Sequence, residues 1–209
     1  MYISTGSPFF DTFLSGGLLR GAITEFYGGC LSGKTSLGIS SAESVLANNG
    51  YVGWLDTYNT FSSKVLRGEK KFVLFKTIKP EPDFFSELFQ TVIEKNIFDL
   101  FVVDGFQEEA TFSPYPGMFS SFSGALLILG TERGYGKRTR SSTHPLLIAD
   151  ADKRVHLKIL KKTRTGTLSE AVLEKNVRGI PFSVCRLFFR YGHGKGIIQT
   201  EQEYLGLSS

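Results

Sequence analysis

Cysteine is scarce in this chain. The two that occur, Cys30 and Cys185, lie far apart and lack metal-ligand spacing. That argues against a disulfide scaffold and against a zinc site, and both thiols are expected to be reduced. Long apolar runs are missing as well, since no stretch of about 18 apolar residues exists that could span a bilayer. The N-terminus, MYISTGSPFF, has no charged segment leading into an apolar one. A secretory signal is therefore not expected, and cytoplasmic residence is. Neither sign of charge dominates: 24 Lys and Arg stand against 20 Asp and Glu, a formal net charge of +4. Extended linkers and internal repeats are absent too. What remains is an ordinary 41% hydrophobic fraction in 209 residues, enough to bury one core, and a single domain over 1–209 is expected.

The mild net charge hides an uneven distribution. From Arg133 to Arg164 the chain carries Arg133, Lys137, Arg138, Arg140, Lys153, Arg154, Lys158, Lys161, Lys162 and Arg164 against only Asp150 and Asp152. Such an excess suits a polyanion, with a solvated basic face as the alternative.

Short apolar runs alternate with amphipathic ones, as in a chain of βαβ units. Strands are predicted at 22–28, 51–57, 71–78, 98–105 and 125–130, and helices at 34–48, 61–67 and 82–96. FDLFVVDG at 98–105 is nearly continuous in apolar residues until Asp104, the pattern of a central parallel strand ending in a carboxylate. Residues 107–124 turn to Ser, Phe, Pro and Gly and predict a loop, and the polar, basic stretch 134–145 predicts a mobile one. Beyond Asp152, runs at 155–161, 169–175 and 184–192 predict antiparallel strands. The fold class is thus α/β: a mostly parallel central sheet flanked by helices, extended by a C-terminal antiparallel meander.

GGCLSGKT at 28–35 fits GxxxxGK[ST] at every fixed position and falls between a predicted strand and a predicted helix. Glycines let backbone amides converge on phosphate oxygens, and the helix N-terminus adds unsatisfied donors and a positive dipole end. Gly28, Gly29, Cys30, Leu31, Ser32, Gly33, Lys34, Thr35 and Ser36 are the candidate nucleotide-binding turn. Lys34 would meet the β and γ phosphates, and Thr35 would hold Mg²⁺ through its hydroxyl. Asp104, ending an apolar strand, is the candidate second magnesium residue. A chance glycine turn, and a capping aspartate, are the plainer alternatives.

The order of these blocks resembles the ATPase core of the RecA/RadA recombinase family. ISTGS at 3–7, Asp11, the glycines at 16–17 and 21, and the strand entering GKT resemble the opening of that core. WLDT (54–57) and FDLFVVDG resemble its second and Walker B strands. LLILGTER (126–133) resembles the strand leading to the second DNA-binding loop, and KNVRGIPF (175–182) with FFRYGHG (188–194) the bacterial RecA signature near the core's end. The resemblance implies a RecA-like P-loop NTPase core that uses ATP and Mg²⁺, with Tyr191 near the base and Lys175 reaching a neighbouring subunit's nucleotide. It implies that single-stranded DNA is contacted by the loop after Glu132, through Arg133, Lys137, Arg138 and Arg140. Phe112, Tyr115, Phe119 and Phe122 could stack bases, or be buried in the core.

The chain also departs from the family pattern. Tyr58 stands at the position of the glutamate that activates water, and a phenol with a pKa near 10 is a poor base at neutral pH. Slow or absent hydrolysis is expected, with Glu132 the one candidate for a relocated catalytic base. Glu132 itself occupies the place of a glutamine that senses the terminal phosphate, where an anion would repel that phosphate unless protonated or turned away. Val177 replaces an intersubunit lysine, and Ser62 and Val65 replace base-contacting residues. Because the chain begins almost at the core, a filament of this chain alone is not expected, and a full-length recombinase is a candidate partner. The expected role is therefore modulation of recombination or repair; a minimal DNA-dependent ATPase and a filament-capping protein are the alternatives.

Overall fold

The computed structural model describes residues 1–59, 61–62, 66, 69–77, 83–105, 115–134, 140–191 and 197–200, with only the backbone described at 197–199. In chain order the elements are β1 (Tyr2–Ile3), α1 (Pro8–Phe13), β2 (Leu18–Leu19), β3 (Ile23–Gly28), α2 (Lys34–Ala47), β4 (Val52–Asp56), β5 (Phe72–Lys76) and α3 (Phe84–Lys95). There follow β6 (Leu100–Asp104), β7 (Ala125–Arg133), β8 (Arg140–Ser141), α4 (Pro145–Asp150), β9 (Lys153–Lys162), β10 (Gly166–Asn176), β11 (Val184–Arg190) and β12 (Ile197–Thr200). The main sheet has the order β12-β11-β10-β9-β3-β7-β6-β4-β5, with β8 paired to β7 alone.

From β9 to β5 neighbouring strands run parallel. From β9 to β12 they run antiparallel. Strand β9 therefore belongs to both halves, joining the expected antiparallel meander to the parallel sheet. β3, β4 and β6 are buried along their whole length, so neither face offers a position for a polar residue facing solvent. Alternate residues serve two cores. Leu100, Val102, Leu127 and Leu129 join Trp54, Leu37 and Phe10 on the α2 face. Phe101, Val103, Leu126 and Ile128 join Phe85, Phe89 and Leu147 on the α3 face.

The helix starts follow local chemistry. Ser7 caps α1 through its hydroxyl, which accepts from the Phe10 amide, and Pro8 opens the first turn without needing its missing N–H. Helix α2 starts instead from Gly33, in the left-handed region at φ 101, with no side-chain cap and no acidic residue in its first turn. Its first amides are thus left to face whatever lies beyond the strand.

Several expectations are corrected. The 125–130 strand runs on to Arg133, and residues 140–150, expected partly as a mobile loop, hold β8 and α4. Ser141, Ser142 and Thr143 are buried there. Ser141 donates to Glu25 Oε1 at 2.5 Å, and the Thr131 amide donates to Ser142 Oγ at 3.1 Å. Polar residues stay inside because polar partners from distant strands meet them. The helix predicted over 61–67 falls mostly outside the described residues, and Phe61 is a core residue packed on Trp54. Phe119 and Phe122 are core residues at 6% and 2% exposure, whereas Tyr115 is exposed. Phe112 and Val65 lie outside the described residues.

Candidate functional site

The carboxyl edge of the parallel strands is where the candidate residues meet. Gly28 ends β3 in register with Thr131 of β7, and Asp104 ends β6 in register with Asp56 of β4 and Leu129 of β7. Parallel pairing makes the chain leave every strand on the same side, so the connecting turns and strand-end side chains converge there. Around this edge lies a cavity of about 390 Å³ lined by residues Cys30 to Ser36, Tyr58, Asp104, Thr131, Phe189, Arg190 and Tyr191. A second cleft of about 470 Å³, beside Tyr2, Asn49 and Asp99, holds no comparable convergence of donors, and its Arg20 is already paired with Asp99 at 2.6 Å.

Within the glycine turn, Lys34 Nζ donates to the carbonyls of Gly28 at 2.9 Å and Gly29 at 2.8 Å. Burial lowers its pKa, against the opposing pull of Asp104, Cys30 and Glu132. Thr35 Oγ1 lies 3.4 Å from Asp104 Oδ2, which brings a hydroxyl and a carboxylate side by side across 69 residues of sequence. Those are hard oxygen donors, the set that suits Mg²⁺ rather than a softer transition metal. Gly33 is seated on the ring of Phe189, and a Cβ there would overlap that ring. Leu31 also adopts positive φ, at 68°, and is exposed, as is Cys30.

Tyr191 stands at the cavity rim, 43% exposed, its hydroxyl 2.5 Å from Thr167 Oγ1. Tyr58 is similarly exposed and lies against Gly105. Glu132 is directed toward the glycine turn, near Gly29, and pairs with His156 Nε2 at 3.2 Å. Lys175 donates to the carbonyl of Ala149 near the end of α4.

The basic stretch divides. Arg133 and Arg140 oppose each other across the β7–β8 pair, while Lys137 and Arg138 lie outside the described residues. Lys153 and Arg154 do not belong to a basic surface, which corrects the expectation drawn from composition. Lys153 is 1% exposed and donates to the carbonyls of Leu14 at 2.5 Å and Gly17 at 2.8 Å. Arg154 Nε donates to the buried Glu25 at 2.7 Å. Lys158, Lys161 and Lys162 are exposed.

Sequence reading missed Phe189, Arg190 and Thr131 as cavity residues and His156 as the partner of Glu132. Arg190 and Thr131 adjoin residues already singled out, but only the sheet order brings β11 and β9 to the glycine turn.

A doubly wound parallel sheet with a glycine turn feeding a central helix, extended by an antiparallel edge, defines a RecA-like core. The comparisons agree with the fold. Residues 1–74 match the Rad51 family model. A DNA repair and recombination protein RadB of Thermococcus sibiricus is 34% identical over 116 residues, 49% of this chain and 49% of that one. RadB of Methanoculleus marisnigri is 46% identical over 55 residues, 26% of this chain and 25% of its own. Protein RecA of Petrotoga mobilis is 35% identical over 92 residues, 43% of this chain and 25% of its own. These matches span half or less of the relatives' length. Over the matched segments the chain is similar to members of the RecA/RadA recombinase family.

Proposed function

We propose that residues 1–209 act as one RecA-like domain that binds ATP with Mg²⁺ and serves DNA recombination or repair, hydrolysing ATP slowly or not at all. The observation that carries the nucleotide reading is the convergence of Lys34, Thr35 and Asp104 beside an uncapped helix N-terminus. The turn from Gly28 to Ser36 would hold the phosphates through amides and the Lys34 ammonium, with Tyr191 toward the base. Thr35 and Asp104 would hold the magnesium, which neutralises phosphate charge when bound. The role in recombination or repair draws on the RadB relatives, which are named as DNA repair and recombination proteins.

Single-stranded DNA is the proposed ligand of the β7–β8 hairpin. Arg133 and Arg140 are register partners in the strand pair, which places two guanidinium side chains on one face of it, a pairing suited to phosphate groups. Weak hydrolysis follows from Tyr58, a phenol rather than a carboxylate beside the magnesium residues. Titration of Mg²⁺-ATP, with turnover measured with and without single-stranded DNA, tests the reading. Binding with negligible turnover supports it, and turnover equal to that of an active recombinase overturns the assignment of Tyr58.

A second reading has its own observation. Val177, Ile180 and Phe182 are 63%, 79% and 74% exposed around the β10–β11 turn. Such a patch suits docking onto a full-length recombinase, with nucleotide contributing stability alone. Under that reading Lys34→Ala lowers the melting temperature and leaves recombinase binding intact, while Ile180→Asp removes it. Recombinase binding that survives Ile180→Asp would eliminate this reading.

A further inference from the structure

We propose that His156 is a positioning residue that sets the preference of the phosphate site for a triphosphate over a diphosphate, by holding the carboxylate of Glu132 through a ring nitrogen. This rests on the nucleotide reading of the glycine turn. Glu132 continues β7 one residue beyond Thr131, which lines the cavity, and its carboxylate lies close to Gly29. It also acts electrostatically on Lys34, the ammonium that the outermost phosphates would meet. An uncompensated carboxylate there opposes each added phosphate charge.

His156 is placed to compensate it. Nε2 lies 3.2 Å from Glu132 Oε1, and Nδ1 lies 3.6 Å from Glu174 Oε1. A carboxylate can only accept, so a ring N–H directed at Glu132 donates to it and fixes its direction. The ring is 4% exposed and stacked on Tyr27, with centroids 4.4 Å apart, so it has little freedom to turn away.

The charged groups around it make its contribution decisive. From β3 come Glu25 and the phenol of Tyr27, from β7 Glu132, from β10 Glu174, and from β9 itself Arg154. Arg154 is committed to Glu25 at 2.7 Å, with its other arm 3.9 Å from Glu174. Tyr27 donates to Glu174 at 2.7 Å and brings no positive charge. Among the described residues, His156 is thus the group paired with Glu132, and its removal leaves that carboxylate facing the phosphate turn.

The test compares affinities for Mg²⁺-ADP and a magnesium-bound nonhydrolysable ATP analogue, for the unmutated chain, His156→Gln, Glu132→Gln and the double variant. His156→Gln should weaken the triphosphate by about tenfold relative to the diphosphate, the scale of one unit charge acting across several ångströms at a partly screened site. Glu132→Gln should restore the ratio in the double variant, because it removes the charge that His156 offsets. Equal weakening of both nucleotides, or no restoration by Glu132→Gln, would overturn the proposal. Failure of the unmutated, folded chain to bind either nucleotide would overturn the nucleotide reading and this one with it. Melting temperatures of each variant separate lost folding from lost preference.

Discussion

Asp56 and Asp104 stand side by side in register at the carboxyl ends of β4 and β6, exposed by 0% and 7%. Asp56 is tied inward, accepting from the Phe61 amide at 2.7 Å, while Asp104 faces Thr35 and the cavity. Two adjacent buried carboxylates thus divide into one that anchors the chain after β4 and one turned toward the glycine turn.

A pH dependence follows from that pair. Burial, and then the neighbouring Asp56, push the Asp104 carboxyl from 3.8 up to about 6, against the pull of Lys34 and Thr35. The folded chain then holds a proton that the unfolded chain releases. The stability this group contributes is full below pH 3.8 and is lost as pH rises through about 6, at a cost of roughly 3 kcal/mol. Asp104→Asn should raise the metal-free melting temperature at neutral pH, flatten the profile across that window, and weaken the magnesium dependence of nucleotide binding. An unchanged pH profile in thermal melts would refute this assignment of Asp104.

Tyr58 lies in the same cavity as Lys34, Thr35 and Asp104. Replacing it by glutamate supplies a carboxylate able to activate water. Tyr58→Glu should raise DNA-stimulated turnover by about 10²-fold or more, the usual scale of a positioned general base. A steady-state phosphate-release assay decides it, and turnover no higher than the unmutated chain's would show that another element is missing.

The opposed arginines of β7 and β8 make a prediction about salt. If Arg133 and Arg140 each neutralise a phosphate, replacing either by alanine should reduce the slope of log affinity for single-stranded DNA against log salt by about 0.7. Titrations at several salt concentrations measure it. Equal slopes for the variants and the unmutated chain would move the DNA contact elsewhere.

Gly33 carries the turn into α2 at φ 101 and rests on Phe189. Gly33→Ala should destabilise the fold by about 1–3 kcal/mol from backbone strain alone, with the overlap on the ring adding to it. Chemical denaturation checks the magnitude. Phe189→Ala should not rescue the variant fully, since the strained dihedral remains.

Local pattern is enough for the strands of the parallel half, the turn at 28–36 and the carboxylate that ends β6. Continuous apolar runs and the spacing of glycines are local signals, and the backbone has few other ways to satisfy them. Tertiary structure alone decided which of the basic residues stay on the surface. Lys153 is drawn inside because the carbonyls of Leu14 and Gly17 await it, and Arg154 because Glu25 does. It also decided that the polar run Ser141 to Thr143 is buried and that His156 stands behind Glu132. Those placements depend on β9 lying next to β3, and on residues more than a hundred positions apart supplying each other's hydrogen bonds, which no local pattern encodes.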